Sequence, residues 1–293
     1  NLTAAADANG DPDVNVTVGA GTLTVAKLNF IKAATTGTIT ASISGTAAAL
    51  TALNTANSDA ITMTVDTGTA DAADLIALVD KTSVQLASTA VSTITGTLLE
   101  INAVIAADGG TIDIDTNFNT TVENGTIEAS DLITMSNLTT GLVTASASTV
   151  TGTTAELLAM IADNNSTSGI ATANDVNFGL DGGSTTTVTE ILSLHDATTG
   201  TITAVSITGT HTQIVALANN ARPTLENATG TIQVNGANIG ESMVMTDVGA
   251  KANLTIFGNG GNDSIYGAEG NDILIGGTGN DILKGAAGTD TIR

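Results

Sequence analysis

The chain has 293 residues, room for one large domain or two to three smaller ones. Its 29 Asp and Glu against 7 Lys and Arg leave a formal net charge of −22, so a duplex or phosphate surface would be repelled and nucleic acid is not an expected partner. Cysteine and tryptophan are absent, which excludes disulfides, thiolate metal sites and cysteine nucleophiles and leaves a core of Leu, Ile, Val and Ala with Thr as filler.

The first residues are polar. Asp7, Asn9, Asp11 and Asp13 alternate oxygen-bearing side chains. They are a candidate cation loop or a solvated N-terminal turn. Asn1 opens the chain without Met or a charged segment, as expected of a processed chain or a part of a longer one. No stretch of about 18 apolar residues occurs, so no membrane-spanning helix is expected.

An internal repeat follows. Segments 37–53, 88–104, 143–160 and 200–217 share a [ST]-G-T triplet whose glycines, Gly45, Gly96, Gly152 and Gly209, lie 51, 56 and 57 residues apart. Five residues after each glycine stands Leu50, Ile101, Leu157 or Ile214, and eight after it Leu53, Val104, Met160 or Leu217. That spacing after Thr46, Thr97, Thr153 and Thr210 predicts four short helices, each N-capped by its threonine.

A second helix is predicted upstream of each triplet, in VAKLNFIKAA, AADLIALVDK, ASDLITMSNL and VTEILSLHDA. Three of these run into T-T-G, with Gly37, Gly141 and Gly200 as expected left-handed helix stops; the second copy has Lys81-Thr82-Ser83-Val84 instead. Between the two helices, Thr38–Ile43 and its copies alternate as strands do. Further strands are expected at Val14–Val18, Ile61–Val65, Thr111–Asp115 and Val176–Leu180.

The predicted unit is strand, helix, strand, helix. Such a unit cannot bury its apolar faces alone, whereas stacked copies can. The fold expected is mainly β with short helices: a solenoid-like array over 1–224, with units near 14–60, 61–110, 111–175 and 176–224. The alternative is an ordinary α/β or α+β domain that keeps the trace of duplication. The layout resembles the Thr/Ala-rich repeats of large secreted bacterial surface proteins. Residues 225–257 break the pattern, with strands expected at Leu225–Val234 and Ala252–Phe257 as a connection.

The end divides into nines: GNGGNDSIY, GAEGNDILI, GGTGNDILK and GAAGTDTIR, from Gly258 to Arg293. The rule is G-x-x-G-x-D-x-[IL]-x. Glycines one and four permit positive φ and close backbone approach. The carboxylates are Asp263, Asp272, Asp281 and Asp290, and Ile265, Leu274, Leu283 and Ile292 are expected to point inward. If successive nines form opposite half-turns, Asp263 and Asp281 share one edge and Asp272 and Asp290 the other. Stacked like charges call for a cation. Calcium fits an all-oxygen set, and the lack of His and Cys in this segment argues against zinc and copper.

These nines resemble the RTX (repeats-in-toxin) calcium-binding nonapeptide, G-G-x-G-x-D-x-U-x, departing at its second position in Asn259, Ala268 and Ala286; the last copy also has Thr289 in place of the Asn of the others. The resemblance implies a parallel β-roll over 258–293, export by a type I system from a Gram-negative bacterium, and folding on extracellular calcium. The family's secretion signal normally follows the nonapeptides. The candidate metal-site residues are Gly258, Gly260, Asn262, Asp263, Gly267, Glu269, Asn271, Asp272, Gly276, Thr278, Asn280, Asp281 and Asp290.

Other candidates are weaker. Asp113 and Asp115, and Asp181-Gly182-Gly183, are further acidic positions for which a solvated strand or turn is the plainer reading. His195 and His211 occupy helix positions filled by ordinary residues in the other copies. No nucleophile-elbow, zincin or phosphate-loop motif is present, and no enzyme is expected. Thr-rich strands such as Thr38–Thr40 and Thr201–Thr203 could present flat hydroxyl arrays to glycan or ice.

The function expected is a secreted calcium-binding structural protein, self-assembling as a homo-oligomer or polymer into a surface layer, filament or extracellular matrix. A cell-surface polysaccharide is a candidate partner. An RTX adhesin segment, or an accessory domain of a secreted hydrolase, is the alternative.

Overall fold

A computed structural model describes residues 13–19, 21, 23–123, 125–163, 168–181, 185–204, 206–220, 231–245 and 253–293. It is mainly strands with short helices, and its sheets are parallel. The helices are α1 (Val25–Ala33), α2 (Ala47–Leu50), α3 (Ala72–Val79), α4 (Leu98–Ala106), α5 (Ala129–Ser136), α6 (Thr154–Ala162), α7 (Val188–Ala197) and α8 (His211–Asn220). Chain contacts divide the protein into two compact units, one of residues 1–124, 131–146 and 164–171, the other of 125–130, 147–163 and 172–293.

Parallel strands cannot be joined by a tight hairpin, so each needs a crossover. The helices serve as those crossovers. In the first unit, Val16 pairs with Ile39, Thr40 with Ala60, Thr64 with Ala87 and Leu86 with Ile112, steps of 20 to 26 residues. The structural repeat is therefore about half the 51- to 57-residue sequence repeat. Both helices of each sequence unit return the chain to a new parallel strand.

The segment between the helices also holds more than one strand after the first copy. Leu86–Ala87 and Val91–Gly96 join different sheets, as do Leu142–Ala145 and Thr149–Gly152 in the third copy and Ile202–Thr203 and Ser206–Thr210 in the fourth. A short break lets the chain leave one sheet and enter the next.

The inward face of each strand is apolar. Along Ile39–Gly45, Ile39, Ala41 and Ile43 are buried while Thr40, Ser42 and Ser44 are exposed. All eight apolar positions read after the triplets, Leu50 and Leu53 through Ile214 and Leu217, are buried. Phe118 and Phe178 are the buried rings, whereas Phe30 is 65% exposed.

The capping threonines act as expected. Thr46, Thr97 and Thr153 each accept an N–H of the first turn, and Thr97 and Thr153 form capping boxes with Glu100 and Glu156. Thr210 and Gln213 exchange the same two bonds at α8. The alternate helices are capped too, by Thr24, Asp71 and Thr187, although no triplet marks them.

The T-T-G motif works differently from a left-handed stop. Gly37, Gly141 and Gly200 do not have positive φ. A side chain there would instead run into the preceding rung's backbone, at Val14 O, Phe118 O and Val176 O. The threonine two residues earlier explains the approach. Thr35, Thr139 and Thr198 donate their hydroxyls to those same carbonyls, at 2.5 Å. Each also accepts the N–H of its glycine. Thr82 keeps both bonds in the divergent copy, to Ile61 O at 2.6 Å and from Val84 N.

Some expected strands differ in extent. Val14–Val18 is a strand only at Val16–Thr17, and Thr111–Asp115 only at Ile112–Asp113. Of Leu225–Val234, the part through Gly230 lies outside the described residues; Ile232–Asn235 is a strand. Ser242–Val244 is a strand that the sequence pattern did not suggest.

Candidate calcium centre

The nonapeptide strands are Ser264–Tyr266, Ile273–Ile275, Ile282–Lys284 and Thr291–Ile292. They alternate between two parallel sheets. Ser264 pairs with Ile282 and Tyr266 with Lys284 in one; Ile273 pairs with Thr291 in the other. Each ladder advances 18 residues. Ile265 and Leu274 are fully buried, Leu283 is half-buried and Ile292 is exposed. Lys284 Nζ lies 5.1 Å from the centre of the Tyr266 ring.

Two glycines of each nine do distinct jobs. The fourth, Gly261, Gly270, Gly279 and Gly288, has φ between 118° and 138°, which an L side chain rarely adopts. The first, Gly258, Gly267, Gly276 and Gly285, has no positive φ but faces the carboxylate of its own nine. A Cβ on Gly258 would sit 2.6 Å from Asp263 Oδ2, and one on Gly267 2.5 Å from Asp272 Oδ2. Positive φ appears again at the second position, in Asn259, Gly277 and Ala286.

The period of 18 stacks the carboxylates in two rows. Asp263 N–H donates to Asp281 Oδ1 and Asp272 N–H to Asp290 Oδ1, both at 2.9 Å. Asp272 also accepts from Leu254 N and, through Oδ2, from Ala268 N. Asp263 and Asp272 are each 1% exposed. Burial pushes the Asp272 carboxyl above its ordinary range and the Asp290 charge adds to this, against the bonds from Leu254 and Ala268. Asp263 Oδ2 is buried and has no hydrogen-bond partner.

The fifth-position asparagines form a ladder running the other way. Asn280 N–H donates to Asn262 Oδ1, Asn271 N–H to Asn253 Oδ1 and Thr289 N–H to Asn271 Oδ1. Asn262, Asn271 and Asn280 are all exposed. At the third position, Gly260 bridges to Thr278 and Glu269 to Ala287; Gly260 is buried, while Glu269 and Thr278 are exposed. The sequence named these positions together; the structure separates a buried carboxylate row from an exposed amide row.

A buried carboxylate with an orphaned oxygen needs a cation or a proton. No group of three or more His, Cys, Asp and Glu closes around one point among the described residues. Carboxylates supplemented by backbone oxygens are the donor set that suits calcium.

A family model described as the RTX calcium-binding nonapeptide repeat (4 copies) matches residues 257–292. These residues are RTX repeats. RTX nonapeptides bind calcium, so calcium is the cofactor. No curated protein matches the chain, and no solved structure does.

The other candidate residues lie apart from the RTX rows in sequence. Asp113 is half-buried in its short strand and Asp115 is exposed. Asp181 is exposed at a strand end, its carboxyl raised by partial desolvation and by the charges of Glu128 and Glu156; Gly182 and Gly183 lie outside the described residues. So do Asp7, Asn9 and Asp11. His195 is half-buried on α7, beside a shallow depression with Asn174 and Thr199. His211 opens α8, and its Nε2 accepts from Val244 N at 3.3 Å. No described helix is long and apolar enough to cross a membrane.

Proposed function

We propose that the protein is a secreted, calcium-binding structural protein of the bacterial surface that assembles into a layer, filament or matrix. In this reading the parallel rungs of 1–224 form a solenoid, 225–257 connect it, and 258–293 form a calcium-dependent β-roll. The role is assembly rather than catalysis. The observation that carries it is the pair of acidic rows built around Asp263 and Asp272, buried without a basic partner among the described residues, on strands whose ladder propagates by repetition alone. Calcium would neutralise the rows, fold the segment after type I export and link subunits as a homo-oligomer or polymer. The partner at the cell is a surface polysaccharide.

Negative-stain electron microscopy in millimolar calcium, repeated after a chelator, tests this. Filaments or sheets that vanish on chelation support it. Dispersed particles in both conditions overturn the assembly role.

A second reading, an RTX adhesin segment, is favoured by one surface. Ser42, Ser44, Thr62 and Thr64 lie side by side on paired strands and line a shallow concavity with Gly21 and Leu23. Such hydroxyl rows suit a glycan or ice. Glycan-array binding by a monomer would favour it.

A further inference from the structure

The stretch Gly236-Ala237-Asn238-Ile239-Gly240-Glu241-Ser242-Met243-Val244 precedes the matched repeats and breaks their rule. Its glycine comes fifth rather than fourth, and Glu stands where Asp should. The structure nevertheless builds it as another turn of the same kind. Ser242 pairs with Ser264, Met243 with Ile265 and Val244 with Tyr266, and Met243 is fully buried like Ile265.

The backbone bonds repeat one by one. Gly236 N–H donates to Phe257 O at 2.7 Å, as Gly258 N–H does to Ile275 O at 2.8 Å. Glu241 N–H donates to Asp263 Oδ1 at 2.8 Å, as Asp263 N–H does to Asp281 Oδ1 at 2.9 Å. Ala237 N–H donates to Glu241 Oε2 at 2.6 Å, as Ala268 N–H does to Asp272 Oδ2 at 2.9 Å. A Cβ on Gly236 would lie 2.8 Å from Glu241 Oε2, the same approach as Gly258 to Asp263 Oδ2 at 2.6 Å. At the third position, Asn238 Oδ1 and Thr278 Oγ1 flank Gly260, at 3.6 and 3.2 Å from where its Cβ would be. The longer Glu side chain reaches the place that Asp fills elsewhere.

An independent observation points to a cation where this turn meets the first matched repeat. Asp263 is 1% exposed; its Oδ1 accepts Glu241 N–H from this turn, and its Oδ2 faces Gly258, whose carbonyl oxygen lies 2.7 Å from where a Cβ on Gly236 would be. Oδ2 has no partner at all, the only carboxylate oxygen in that position among the buried atoms of the described residues. The opposite row lacks the equivalent, since Leu254 occupies the place before Asp272.

We infer that Glu241 and Asp263 hold a further calcium ion between this turn and the first matched repeat. Calcium is the expected ion because it accepts mixed carboxylate and amide oxygens in irregular geometry. This rests on the reading that the RTX repeats bind calcium.

The test is hydrogen exchange of the full chain with calcium and with a chelator, alongside calorimetric counting of bound calcium. In the wild type, calcium should slow exchange in both 236–245 and 258–293, by about a hundredfold at a hundred times the dissociation constant. Glu241→Gln keeps the side-chain shape and the bond from Ala237. It should lose one equivalent of calcium and the protection of 236–245, while 267–293 still responds. Unchanged stoichiometry in Glu241→Gln, or a wild-type 236–245 that ignores calcium while 258–293 responds, overturns the inference. Silence in both segments would instead mean that the calcium reading of the whole end fails, and this site with it.

Discussion

Two regions of the molecule bury carboxylates and treat them in opposite ways. In the helix-bearing region Asp59 is fully buried, and the chain provides its cation: Lys32 Nζ lies 3.0 Å away. Burial alone would raise the Asp59 carboxyl, but bonds from Ala56 and Ile39 N–H and the Lys32 charge hold it below its ordinary range. In the nonapeptide region Asp272 is as deeply buried, has only N–H donors and a neighbouring carboxylate, and is pushed up. The lesson is one of supply. Where a cation is always available in the chain, a buried carboxylate is part of a permanent core. Where the chain supplies none, the same burial leaves the carboxylate to a cation or a proton from solvent.

The largest effect should come from breaking the internal pair. Lys32→Met leaves Asp59 buried without its cation and should cost about 3–5 kcal/mol in urea unfolding, whether or not calcium is present. A variant as stable as the parent would show that the backbone donors alone neutralise Asp59. Calcium removal is the counterpart. Each site filled at a hundred times its dissociation constant contributes about 2.7 kcal/mol, so a chelator should lower the melting temperature of the nonapeptide region and leave the Lys32→Met deficit unchanged. Equal chelator sensitivity across the chain would erase the contrast.

Third, Gly141→Ala should destabilise by about 1–3 kcal/mol, because the new Cβ meets Phe118 O in the neighbouring rung. Thermal unfolding measures it. The smallest effect is a cap: Thr153→Ala should cost about 1 kcal/mol, with no dependence on calcium.

Acid separates the two regions by sign. The depressed Asp59 carboxyl contributes stability at neutral pH that is lost as pH falls through its folded value, below the ordinary 3.8. The raised Asp272 carboxyl binds its proton more readily when folded, so with chelator present the nonapeptide region should gain stability as pH falls through that raised value toward the ordinary 3.8. With calcium the trend should reverse, since protonation displaces the ion. Melting curves from pH 7 to about 2.5 in the two buffers decide it; parallel slopes would refute the assignment.

Much of this was legible along the chain because it is local. A cap joins residues three apart, so Thr97 with Glu100 and Thr153 with Glu156 could be read directly. The apolar positions after each triplet follow from helical spacing. The T-T-G glycines misled because a glycine after a helix has two uses, and only the neighbouring rung distinguishes a left-handed turn from a close approach. Glu241 was missed because its turn breaks the glycine spacing while keeping the pairing.

By itself, then, the sequence determined the two periods, the capped helices, the alternating inward faces and the calcium-binding character of the last 36 residues. The caps, faces and nonapeptides depend on neighbours within one turn or one nine-residue repeat, and the longer period on plain recurrence of the triplet. Only the tertiary structure decided which residues meet across rungs: Thr139 with Phe118 O, Lys32 with Asp59 over 27 residues, and Glu241 over Asp263. Parallel strands are joined through crossovers of variable length, so their register is set by packing of the whole coil and not by any short window of sequence.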